Sequence, residues 1–226
     1  RHWLRDQAPP GSHWSQINGG IATGLRPRDA RPAAAALLHT GWEATVLATD
    51  RATRAHAISA LAAPFPGVPK AALSCAGERR TAADTVADLH RLREHVRAHA
   101  PGLSWAGISV EPDARDLTTS EWNDRTRSRL VDPNLVADLL VPDGMWYQIL
   151  TADHLKRLGG TPPGAVELAD GLVELTVGEP EQWLPTHPDQ DTVRARARAL
   201  LAPCLATPDQ VQALSGQRMA MARELP

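Results

Sequence analysis

GMWYQILTADHLKRLGG, residues 144–160, carries a change of period that decides the fold class. The segment WYQIL joins two aromatics to a β-branched residue and a leucine, a composition that predicts a strand. Thr151 then stands where a helix N-cap belongs, and ADHLKRL follows with helix-forming residues. In that helix Leu155 and Leu158 are expected to face inward, and Lys156 and Arg157 to face water. Gly159 supplies the residue that leaves the helix in a left-handed conformation. The stretch therefore reads as a strand running into a capped helix, with punctuation at both ends.

Downstream, AVELADGLVELTVGE (165–179) reads as a β-hairpin, because VEL and LVELTV flank the tight-turn pair Asp170-Gly171. After a proline-rich link, DQDTVRARARALLAPCL predicts a helix with Val193, Ala197, Leu200 and Leu201 inward and three arginines outward. TPDQVQALSGQRMAMA opens on Thr207-Pro208 and predicts a terminal helix.

Upstream, TAADTVADLHRLREHVRAHA is the clearest helix of the chain. Val86, Leu89, Leu92 or Arg93, and Val96 recur at spacings of three and four. Acidic Asp84 and Asp88 lie early, and Arg97 and His99 lie late, as the helix dipole favours. LSWAGISVE (103–111) and VPKAALSCA (68–76) are expected strands, as is WEATVLAT (42–49). Residues 1–25 are turn-rich and predict an irregular or short-stranded opening. Residues 27–39 predict a helix capped by Asp29. RATRAHAISALAA, after Asp50 as N-cap, predicts another, because alanine is the strongest helix former. LVADLLVP (135–142) is open between helix and buried strand.

Strands and helices interleaving early, with a hairpin late, predict an α+β fold. The sheet or sheets are expected to be mixed and largely antiparallel, with helices packed on one face, the late hairpin and C-terminal helices. A chain of 226 residues is long enough for a single α+β domain over 1–226. Two sub-lobes, 1–111 and 135–226, joined by the polar segment 112–134, are the natural subdivision.

Charge and cysteine use narrow the function classes. Lys+Arg number 24 and Asp+Glu 26, a net charge of −2, which argues against a nucleic-acid surface. No apolar run reaches the length of a membrane span, and no signal peptide is visible. The chain begins at Arg1, which is compatible with an upstream segment removed or with a module cut from a larger protein. Cys75 and Cys204 are far apart, without metal-ligand spacing, and read as reduced thiols of a cytoplasmic protein. Lysine occurs only at Lys70 and Lys156 while alanine and arginine abound, the coding bias of a GC-rich genome such as an actinobacterium's. The sequence leaves the oligomeric state open.

Four constellations invite chemistry, and each has a plain structural reading beside it. The glycine-rich loop 18–24 lacks the Lys-Ser/Thr of a P-loop and the spacing of a dinucleotide site. Ser74-Cys75 sits in L-S-C-A-G, which misses the G-x-S-x-G nucleophile elbow. His95 and His99 stand one helical turn apart but lack H-E-x-x-H and a third ligand. Asp113, Asp116, Glu121 and Asp124 alternate with Arg115, Arg125, Arg127 and Arg129, which suits local ion pairs as well as a cation. Trp122 lies amid that charge, as an interface anchor or as a plug at the core edge. Hence no catalytic residue, metal site or cofactor is assigned. The candidate binding residues are Trp122, Arg125, Arg127, Asp113 and Asp116.

The C-terminal third resembles a family of bacterial immunity proteins, which neutralise toxins delivered between competing cells by contact-dependent or type VI-like systems. The residues that carry the likeness are Trp146 to Leu150, then His154-Leu155-x-x-Leu158-Gly159-Gly160, then LVELTVGE, then VRARARALLAP. It covers about 60 residues of this sequence. The resemblance implies a non-enzymatic α+β protein that binds a protein partner, the cognate toxin, tightly. The alternative from the residues is a small α/β enzyme, with a ligand cleft near loop 18–24 and the strand ends at Asp50 and Cys75.

Overall fold

The computed structural model describes residues 13–18, 21–25, 44–50, 55–62, 70–76, 81–101, 103–110, 138–207, 209–210, 213–214 and 216–217, the first five segments by backbone. The architecture is α+β, as expected. The chain divides into two compact units, Arg1–Asp88 and Leu89–Pro226.

The first unit holds a five-stranded antiparallel sheet. Its strands are β1 (His13–Asn18), β2 (Ile21–Leu25), β3 (Ala44–Asp50), β4 (Ala55–Ala62) and β5 (Lys70–Ala76), in the order β2-β1-β3-β4-β5. Strands β3 and β5 fall where β formers predict them, and the turn-rich opening resolves into the β1–β2 pair. The helix expected after Asp50 is instead strand β4. Asp50 pairs with Ala55 across the β3–β4 ladder rather than capping a helix. β4 bonds β3 on one side and β5 on the other. A strand laddered on both sides satisfies its amides through the neighbouring strands rather than its own preceding turn, and this overrides the modest helix preference of an alanine-rich segment. The helix expected over 27–39 lies outside the described residues.

Helix α1 (Ala82–Ala98) follows. Thr81 and Asp84 form a reciprocal cap: the Thr81 amide donates to Asp84 Oδ2 at 2.9 Å, and the Asp84 amide donates to Thr81 Oγ1 at 3.1 Å. The exchange satisfies two of the amides that a helix start leaves open.

The second unit is built on an antiparallel sheet of β6 (Ala106–Ile108), β7 (Tyr147–Leu150), β8 (Val166–Glu167) and β9 (Val173–Thr176), in the order β6-β7-β9-β8. The predicted hairpin is β8 and β9, joined through a 3-10 turn at Ala169–Gly171 where Asp170 takes φ 62°. Helix α2 (Ala152–Leu158) and helix α3 (Gln190–Leu201) complete it. Of LVADLLVP, residues 138–140 are a turn and an irregular link, and Val141 forms an isolated parallel bridge with Leu205. The described residues of the predicted terminal helix, at 209–210, 213–214 and 216–217, are helical.

Among the described residues a small apolar cluster gathers at Leu140, and a large one forms the main core of this unit. It joins Leu89 of α1, Tyr147, Ile149 and Leu150 of β7, Leu175 of β9, Val193, Ala197 and Leu201 of α3, and the two tryptophans Trp146 and Trp183. Burial of this many large side chains is the main stabilising term. Gly144 is what lets α3 come close. A Cβ there would stand 2.6 Å from the Arg198 amide nitrogen and 2.9 Å from the Ala197 carbonyl carbon.

Candidate functional site

The opening corner is built as predicted, with one unforeseen participant. Gly159 is left-handed at φ 76°, and the Gly160 amide returns to the Leu155 carbonyl at 2.9 Å, the closing bond of a Schellman motif. At the other end the Thr151 amide donates to Nδ1 of His154 at 3.0 Å. His154 thus takes the place a Glu or Gln holds in a capping box. A ring nitrogen that accepts an amide proton carries none itself, so the imidazole proton sits on Nε2. His154 is fully buried, whereas the expected inward residues Leu155 and Leu158 are half-buried.

The His154 carbonyl in turn accepts the Cys204 thiol at 3.2 Å. Burial pushes that thiol above its ordinary pKa, and the charge of Arg157 offsets part of the effect. A thiol held protonated in this way is a poor nucleophile.

A second polar group lies where α1 crosses the sheet of the second unit. Register sets it up: Tyr147 faces Thr176 and Ile149 faces Glu174 across the β7–β9 ladder. Tyr147 and Glu174 therefore share one face on a diagonal. The Tyr147 hydroxyl donates to Glu174 Oε2 at 3.0 Å. Arg93 reaches Oε1 at 3.3 Å, and Arg97 approaches Oε2 at 3.6 Å. Arg93 also lies over the Tyr147 ring, 5.4 Å from its centroid. Burial first, and then the charge and hydrogen bond of Glu174, push the Tyr147 phenol well above its ordinary pKa, against the lowering effect of Arg93 and Arg97.

On the opposite face, the Trp105 ring and Met145 Sδ lie over Gly107, and the Trp105 indole approaches Gln148 Oε1 at 3.4 Å. Gln148 Nε2 and Trp146 Nε1 are buried without a partner among the described residues. Trp183, by contrast, is satisfied, its indole donating to the Val177 carbonyl at 2.8 Å.

The candidate binding residues Trp122, Arg125, Arg127, Asp113 and Asp116 all lie outside the described residues. Asn18 and Gly24 of the glycine-rich loop sit in paired strands, opposite Ile21 and Ser15. Ser74 and Cys75 pair with Ile58 and Ala57 in the last residues of β5, which ends at Ala76, and Asp50 is the last residue of β3. His95 and His99 stack with ring centroids 4.6 Å apart, and His99 Nδ1 lies 2.7 Å from the His95 carbonyl. Among the described residues no three His, Cys, Asp or Glu side chains gather as a metal site. Nor is any helix among them long and apolar enough to cross a membrane.

The Arg93–Arg97–Glu174–Tyr147 group was not singled out from the sequence. Its one signal is Arg93, which shares the helical spacing of the apolar positions. Glu174 looks like an outward residue of an alternating strand until α1 is known to cover that face.

No protein-family model matches this chain, and neither do curated proteins or solved structures.

Proposed function

We propose that this chain is a non-enzymatic protein-binding module of the immunity type, neutralising a toxin in the bacterial cytoplasm by stoichiometric association. One observation carries the reading: reactive side chains buried in the second unit are engaged in holding the fold. Glu174 is occupied by two arginines and a phenol, His154 caps a helix, and the Cys204 thiol is spent on a carbonyl. An active site needs titratable groups converging on a reacting atom, with capacity left for it. Here they converge on one another. The residue likeness at the strand-to-helix corner and along LVELTVGE supports the same reading.

Co-purification of the full chain from its native host tests it. The expected result is one protein partner at fixed stoichiometry whose toxicity the chain suppresses, with a partner-dependent rise in melting temperature. A tightly bound nucleotide, coenzyme or metal ion, with no protein partner, overturns the reading.

A further inference from the structure

We propose that Arg93 and Arg97 form a carboxylate-accepting fork for an acidic side chain of a protein partner, an inference that rests on the binding-module reading. Two guanidinium groups one helical turn apart share a single carboxylate, Glu174. The fourth member, Tyr147, is a neutral hydrogen-bond donor. Two positive charges against one negative leave the group with a surplus of one.

That surplus is placed at the rim. The Glu174 side chain is 4% exposed, while Arg93 is 27% and Arg97 45% exposed. The compensating carboxylate is thus sealed inside and the cations reach water. Their hydrogen-bonding capacity is also largely unspent. A guanidinium has five N–H donors. Glu174 engages Arg93 through Nη2 alone, and it approaches Arg97 through Nε at 3.6 Å, too far for a hydrogen bond. Arg93 Nε, by contrast, is buried, without a partner among the described residues, and lies out of reach of an incoming group. The exposed Glu94, between the two arginines in sequence, pairs with neither among the described residues. A planar fork with open terminal nitrogens, beside a charge surplus, matches a carboxylate. The same geometry steers an acidic partner toward α1.

The probe is a fluorescein-labelled hexaglutamate peptide, with binding to the full chain read by anisotropy at low salt. Wild-type chain is expected to bind it in a salt-dependent way. Arg97→Gln is expected to bind about fivefold more weakly, and Arg97→Lys to fall between, because charge is kept and the fork lost. Glu174→Gln is expected to bind more tightly, since both arginines are released. Arg196→Gln, which removes an exposed arginine of α3, is expected to change nothing.

Equal binding by wild type and Arg97→Gln overturns the proposal, and so does an equal loss in Arg196→Gln, which reports bulk charge alone. Binding of inorganic phosphate without binding of hexaglutamate overturns the choice of a carboxylate side chain. Arg97 is half-exposed, so Arg97→Gln is expected to keep the wild-type melting temperature; where it does not, Arg97→Lys carries the test. A native partner held equally by wild type and Arg97→Gln sinks the fork and leaves the binding module standing. Hexaglutamate binding lost in Arg97→Gln, with no native partner found, does the reverse.

Discussion

Tyr147 and Glu174 sit diagonally across the β7–β9 ladder, and the phenol donates a 3.0 Å hydrogen bond to a carboxylate that is almost wholly buried. The pair ties two neighbouring strands together beneath α1 and supplies the anion on which Arg93 and Arg97 converge. A buried charge without partners destabilises a fold severely, so each member of the group depends on the others.

Removing the phenol hydroxyl tests that dependence. Tyr147→Phe is expected to destabilise the chain by about 1.5–3 kcal/mol, the range for a hydrogen bond to a charged acceptor. In a double-mutant cycle with Glu174→Gln the two losses are expected to be sub-additive by about 1 kcal/mol. Urea unfolding of the four proteins measures this, and strict additivity refutes the coupling.

The same pair sets an alkaline limb. The Tyr147 phenol has its folded pKa raised above the unfolded value of about 10. The folded state therefore keeps the proton longer, and the resulting stability is complete below about pH 10 and lost as pH rises toward the folded value. Tyr147 is the single tyrosine of the chain, so tyrosinate absorbance reports it alone. Absorbance is expected to rise together with loss of near-UV circular dichroism. Ionisation at the ordinary phenol value in the folded chain refutes the assignment.

His154 acts through one ring nitrogen, which gives a selective rescue. His154→Ala loses the cap of α2 and leaves a void, and about 2–4 kcal/mol of stability is expected to go with them. His154→Gln restores the standard capping-box acceptor and is expected to recover roughly 1 kcal/mol of that loss. Equal melting temperatures for the two variants would show that the amide bond to Nδ1 contributes nothing.

Gly144→Ala is expected to cost about 1–3 kcal/mol. The added methyl meets the backbone of α3 at Ala197 and Arg198, not a side chain that can swing away. Thermal unfolding measures it, and a neutral result would mean that α3 shifts freely.

Cys204 offers a chemical readout. In a Cys75→Ser background, its buried, protonated thiol is expected to react with a disulfide reagent only at the rate of unfolding. Fast labelling of the folded chain would contradict the burial.

Much of the second unit is legible residue by residue. The corner Thr151 to Gly160, the hairpin around Asp170-Gly171 and the inward stripe Val193, Ala197, Leu201 follow from rules that act within a few residues. Caps, turns and helical periodicity are local, so their signals survive in a single sequence. Strand β4 departs from its local helix preference for the opposite reason. Its alanines favour a helix locally, and its state is set by ladders to β3 and β5.

The polar group at α1 shows the same division most clearly. Periodicity alone tells that Arg93 lies on the apolar side of its helix, and alternation alone tells that Glu174 and Leu175 face opposite ways. That Arg93, Arg97 and Tyr147 meet one carboxylate depends on β7–β9 register and on α1 crossing that face of the sheet. Charged and polar groups from three distant segments attract only after packing has brought them within a few ångströms and removed the water between them. Local stereochemistry is written into neighbouring residues, and long-range electrostatics comes into being only when the chain has closed on itself.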